Sequence, residues 1–131
     1  LGDVYKRQHY YRAKAYLDAG KTDGAMEDLK VLAKDTRNVY GAEAKYKVAQ
    51  IYFDGGQTDK AEQEVLNYIE VSTPHTYWLA RSFVLLADVY MKLGRNLDAK
   101  QYLLSLKQNY QADDDIAGMI ESRLEKLKTE N

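Results

Sequence analysis

Apolar residues recur along the chain at helical spacing, and the arrangement itself repeats. Ala13, Tyr16, Gly20 and Ala25 are followed by Ala49, Tyr52, Gly56 and Ala61, and then by Ala87, Tyr90, Gly94 and Ala99, with the same internal offsets each time. The first and second copies lie 36 residues apart and the second and third 38. Two further apolar columns, Leu29, Val65 and Leu103 and then Leu32, Tyr68 and Leu106, stand at helical distance from the preceding alanine.

Each copy reads as two helices joined at the glycine. The predicted first helices cover Gln8 to Ala19, Ala42 to Asp54 and Leu79 to Leu93; the second cover Asp23 to Lys34, Asp59 to Val71 and Leu97 to Asn109. Gly20, Gly56 and Gly94 fall just past the first helices, where a positive φ satisfies the last carbonyls without a Cβ clash. Thr22, Thr58 and Asn96 come next and are predicted to cap the second helices. The small residues let the two helices cross closely, with Tyr16, Tyr52 and Tyr90 beside them. A lone hairpin buries too little, so the three are expected to stack on a shared core. After them, Asp113, Asp114 and Asp115 precede Ile116, Met119, Ile120, Leu124 and Leu127, an amphipathic helix with an acidic start. Its polar face, with Glu121, Arg123, Glu125, Lys126 and Lys128, suits a terminal capping helix.

The columns of small residue, Tyr, Gly, Ala and large apolar residue resemble the tetratricopeptide repeat, over roughly Arg7 to Tyr110. The resemblance implies an all-α fold, a right-handed α-α superhelix of three hairpins plus the C-terminal capping helix. The predicted divisions are a fragment-end or non-native segment at 1–7, three repeats within 8–110 (about 8–41, 42–78 and 79–112), and the cap at 113–129. The chain looks most like the C-terminal part of a longer bacterial protein of this family. It departs from the family in its longer periods, the extra residues lying in Asp35 to Gly41 and Ser72 to Tyr77. His9 and Lys45 replace an opening aromatic that only Phe83 supplies, and Arg12 stands where a core aliphatic is expected.

Composition narrows the functional classes. The 131 residues are 45% hydrophobic and 30% charged, which fits a folded chain rather than a disordered one. With 19 Lys plus Arg against 20 Asp plus Glu there is no cationic field to gather phosphates, so no nucleic-acid partner is expected. The longest apolar run, Phe83 to Ala87, ends at Asp88, far short of the ~20 residues of a spanning helix, so no membrane insertion is expected. With no cysteine there is no disulfide, thiolate zinc site or thiol nucleophile, and the compartment stays open. His9 and His75 lie in different repeats, and no Gly-rich phosphate loop is present. The acidic triplet fails as a calcium loop, because Ala117 and Leu124 fall where oxygen ligands are needed. The reading is a non-enzyme with no cofactor and no metal.

Twelve tyrosines exceed what the repeat columns use. The family resemblance implies a concave face lined by the first helices, exposing Arg7, Tyr10, Lys14, Glu43, Tyr46, Gln50, Arg81, Val84 and Asp88 as partner-binding residues. Tyr10 and Tyr46, one repeat apart, would anchor a peptide through rigid rings that carry one hydroxyl each. Relatives that clamp a terminal carboxylate use Lys, Asn and Arg where this chain has Tyr10, Lys14, Lys47, Arg81 and Leu85; only Arg81 fits. The expected function is a non-catalytic protein-protein interaction scaffold that binds a peptide or protein on this face. The alternative is a structural spacer or self-association segment of a longer solenoid, associating through its N-terminal end.

Overall fold

The computed structural model describes residues 2–129; Leu1, on which the predicted fragment-end segment opens, lies outside them. The described residues hold seven helices and no strand: α1 (Asp3–Asp18), α2 (Thr22–Leu32), α3 (Val39–Asp54), α4 (Thr58–Glu70), α5 (Thr76–Lys92), α6 (Asn96–Asn109) and α7 (Ile116–Thr129). The fold is all-α, three helix hairpins and a further helix. Two compact units are present, residues 1–79 and 80–131, the division falling inside α5.

One backbone device makes all three hairpins. At the end of α1 the Gly20 amide donates to the Leu17 carbonyl at 3.0 Å and the Lys21 amide to the Tyr16 carbonyl at 2.7 Å. The same pair of bonds joins Gly56 to Phe53 and Gln57 to Tyr52 after α3, and Gly94 to Met91 and Arg95 to Tyr90 after α5. This is the Schellman closure, which needs a left-handed residue at the glycine. Gly20, Gly56 and Gly94 have φ of 73°, 80° and 76° and are the only described residues with positive φ. The carbonyls of Lys21, Gln57 and Arg95 then accept from Ala25, Ala61 and Ala99 at 3.2, 3.0 and 3.1 Å, opening the next helix. One residue therefore ends one helix and starts its partner. The predicted capping by Thr22, Thr58 and Asn96 is corrected accordingly: the cap positions are Lys21, Gln57 and Arg95, and none makes a side-chain cap bond. A three-residue connection leaves the threonines and asparagine already inside the helix.

The first helices begin earlier than predicted. α3 starts at Val39 because the Asn38 Oδ1 accepts from the Tyr40 and Gly41 amides at 2.9 and 3.3 Å. Its opening turn lies directly on the end of α2. A Cβ at Gly41 would fall 1.8 Å from the Asp35 carbonyl oxygen and 2.6 Å from that of Leu32. α1 starts at Asp3 rather than Gln8, and Lys6 reaches Asp35 Oδ2 at 3.0 Å. That bond holds the Asp35 carboxyl below its ordinary range. The residues that lengthen the repeat are tied to each other: the Thr36 hydroxyl donates to the Ser72 carbonyl at 2.7 Å and Arg37 Nη1 to the Ser72 hydroxyl at 2.9 Å.

In the first unit the hairpins share one interior. Ala13, Ala25, Leu29 and Leu32 of the first hairpin and Ala44 and Val48 of the second form a buried cluster, with Tyr10, Tyr16, Tyr40 and Tyr52 packed around it. Tyr68 is 1% exposed and donates its hydroxyl to the Ala42 carbonyl at 3.2 Å. The family's opening aromatic has become a set of matched pairs between the two helices of a hairpin. His9 Nδ1 lies 2.7 Å from Asp28 Oδ1, Lys45 Nζ lies 2.6 Å from Glu64 Oε1, and the Phe83 ring stands 6.2 Å from the Tyr102 ring. Each pair is separated by 19 residues. Arg12, also out of pattern, places Nε and Nη2 on the Asp28 carboxylate at 2.9 and 2.6 Å. Asp28 is 2% exposed, and the Arg12 guanidinium, followed by His9, holds its carboxyl below the usual range against desolvation.

In the second unit α7 packs on α6 with Ile116, Ile120 and Leu127 buried. Asp114 Oδ1 accepts the Ile116 amide at 2.9 Å, so the acidic triplet does start this helix. In repeat register, 38 residues on from α5, the positions that would face a second helix are Gly118, Glu121, Glu125 and Lys128, all exposed.

Two stability outcomes follow. Gly41→Ala is expected to cost at least about 3 kcal/mol, because backbone rather than a flexible side chain blocks the methyl. Gly118→Ala, where a Cβ would meet nothing within 4 Å, is expected to stabilise by roughly 0.5–1 kcal/mol as an interior helix glycine. Thermal unfolding followed by circular dichroism compares the two. Asp28→Asn is expected to destabilise by about 2 kcal/mol at neutral pH through lost charge-assisted bonds. A lowered folded-state pKa contributes stability that is present above the unfolded value near ~4 and is lost as pH falls through the folded one. The difference between parent and variant therefore shrinks below about pH 4, read from denaturant midpoints across the acid range.

Candidate protein-interaction surface

The first unit gathers an aromatic and ionic cluster where α1 and α3 run beside each other. The Tyr10 ring lies 4.4 Å from that of Tyr40, and the Tyr11 ring stands edge-on to it at 5.3 Å. The Tyr10 hydroxyl donates to the Glu43 carboxylate at 3.0 and 3.2 Å, and Lys14 Nζ sits over the Tyr10 ring at 5.4 Å. Lys47 pairs with Glu43 one turn on. Burial, and then the Glu43 carboxylate, push the Tyr10 hydroxyl up to about 12, so it stays a neutral donor at any physiological pH. Lys14 and Tyr11 are exposed, while Glu43 and Lys47 are half-buried. The cluster thus offers a ring edge, two ammonium groups and one carboxylate, with the rings held in place by packing.

The nine predicted residues divide. Tyr10, Lys14 and Glu43 come together as described. Tyr46 and Gln50 form a second group, with the Tyr46 hydroxyl donating to Gln50 Oε1 at 2.9 Å and Gln50 Nε2 to Asp54 Oδ1 at 2.8 Å. Tyr46 is only 7% exposed, its ring 5.7 Å from Trp78. Val84 is 3% exposed. The expectation that all nine stand open is corrected at these two: the positions sit on a packed side of their helices. Arg7 is exposed in a separate recess with Val4, Gln8 and Tyr11. In the second unit Arg81 is half-buried, and Asp88 is engaged by α7, accepting Arg123 Nε at 3.0 Å and Nη2 at 3.1 Å.

Sequence reasoning missed Tyr40, Lys47, Trp78 and Arg123 as members of these groups. Tyr40 lies among the extra residues Asp35 to Gly41, ahead of the helix predicted from Ala42, and the Asn38 cap two residues earlier is the signal for the longer helix. Among the described residues no group of three or more His, Asp or Glu is placed to hold a metal ion, and no helix is long and apolar enough to cross a membrane.

Two tetratricopeptide repeat family models match the chain, over residues 9–35 and 80–110. These segments take in the first and third hairpins, whose Tyr-Gly closures the middle hairpin shares. Over these two segments the chain is built of tetratricopeptide repeats. No curated protein matches it.

Proposed function

We propose that this chain is a non-catalytic scaffold that holds a protein or peptide partner along its first helices. Tetratricopeptide repeats generally mediate protein–protein interaction. The observation that carries the finer reading is the Tyr10 cluster. Tyr10 is locked between Tyr40, Tyr11 and Glu43, so little side-chain entropy is lost when a partner covers it. Lys14 and Lys47 flank a carboxylate, which suits a segment with one apolar anchor and charges of both signs rather than a purely acidic tail. Glu121, Glu125 and Lys128 on α7 give that helix the wet outer face of a cap.

A spacer role is the second reading, favoured by the burial of Tyr46 and Val84 and by the engagement of Asp88 with Arg123. A photoreactive residue in place of the exposed Lys14 separates the two. The scaffold reading expects one dominant crosslinked protein from native extract, lost on Tyr10→Ala, and a Lys14→Glu variant that binds that protein about tenfold more weakly or worse. The spacer reading expects no specific capture at Lys14.

A further inference from the structure

We propose that the recess bounded by α2, α3 and α4 binds a small phosphorylated molecule, its phosphate monoester held by Lys30, Lys34 and Lys45. The recess has a volume of about 400 Å³, the size of a metabolite site rather than of a docked helix. Its charge is out of balance, for three lysines line it against one carboxylate, Glu64, in a chain whose formal net charge is -1. None of the residues of the Tyr10 cluster lines it, so the site stands apart from the scaffold reading and does not depend on it.

Lys45 is the buried member. It is 9% exposed, and its Nζ lies 2.6 Å from Glu64 Oε1 and donates to Asn67 Oδ1 at 2.6 Å. An ammonium carries three N–H donors, so one is left for a ligand. Lys30 on α2 and Lys34 just past its end are exposed, and neither has an acidic partner among the described residues. Lys30 Nζ rests 5.7 Å from the centre of the Tyr52 ring, and the Lys34 ammonium makes no ion pair or hydrogen bond. Cations gathered at one recess without a counter-charge repel each other, and a bound anion relieves that cost.

The walls are already in place. The Thr36 hydroxyl bonds the Ser72 carbonyl, which ties the segment after α2 to the segment after α4, and Ala33, Val48 and Val71 give apolar surface between the charges. The cation type indicates the ligand. Arginine's planar fork matches a carboxylate, whereas lysines act as separate point charges that can surround the oxygens of a phosphate, and every cation at this recess is a lysine. Glu64 and the Asn67 amide offer an acceptor and a donor to hydroxyls on the same molecule.

Titration of the full chain with glucose 6-phosphate at constant ionic strength, followed by amide chemical shifts, tests this. Saturable shifts are expected at Lys34, Lys45 and Asn67, with a dissociation constant of about 1 mM or tighter. Lys30→Gln and Lys34→Gln are each expected to weaken binding about fivefold. Glu64→Gln, which removes the one negative charge, is expected to strengthen it about threefold. Lys126→Gln on α7, outside the recess, is expected to leave it unchanged. Circular dichroism checks that each variant keeps its helicity. Shifts no larger than those from sodium chloride at the same ionic strength, equal weakening by Lys126→Gln, weaker binding by Glu64→Gln, or tighter binding of a phosphoserine peptide than of the sugar phosphate would each overturn the proposal.

Discussion

Three hairpins depend on the closure of a helix end by two backbone amides across a left-handed glycine. The carbonyls of Tyr16, Tyr52 and Tyr90 would otherwise be left without an intrahelical donor at the end of a first helix. The amides of Lys21, Gln57 and Arg95 fill that role, and their carbonyls at once begin the returning helix. The four-residue interval from Tyr to Gly is set by this geometry. The alanine five residues beyond the glycine then falls on the inner side of the new helix, where Ala25, Ala61 and Ala99 are fully buried.

Because the turn fixes how the two helices of a hairpin meet, the side chains between them are free to change chemistry in matched pairs. His9 with Asp28, Lys45 with Glu64, and Phe83 with Tyr102 occupy one structural position in three copies. A buried carboxylate such as Asp28 is tolerable only with partners on it, and Arg12 supplies two bonds where the other copies have Val48 and Leu86. The first two copies make this contact with ion pairs and the third with aromatic rings. Along α7, Ile116, Ile120 and Leu127 are buried while Glu121, Glu125 and Lys128 stand exposed.

The hairpins were legible in the sequence because glycine is nearly alone in accepting the required φ, and because three copies check one another. Helix starts were less legible. Asn38 caps α3 through its side chain, whereas Thr22, which looks like a cap, does not cap, and the difference lies in the length of the preceding turn. The site was legible in part. Tyr10, Lys14 and Glu43 share a surface because α1 and α3 run beside each other. Tyr46 and Val84 were placed on the open side although both are buried, since which flank of a helix is covered depends on neighbours that spacing alone does not reveal. The paired columns at 19-residue separation were visible in the sequence as His with Asp and Lys with Glu, and would have identified both ion pairs.

Amide hydrogen exchange at the turns tests the central claim most directly. Lys21, Gln57 and Arg95 are exposed residues in short glycine turns, so loose connections would leave their amides exchanging at the rate of an unstructured peptide. The shared closure requires all three to be slowed to the same degree as amides in the adjoining last helical turns. Free exchange at these residues, or protection at one turn and not the others, would contradict it.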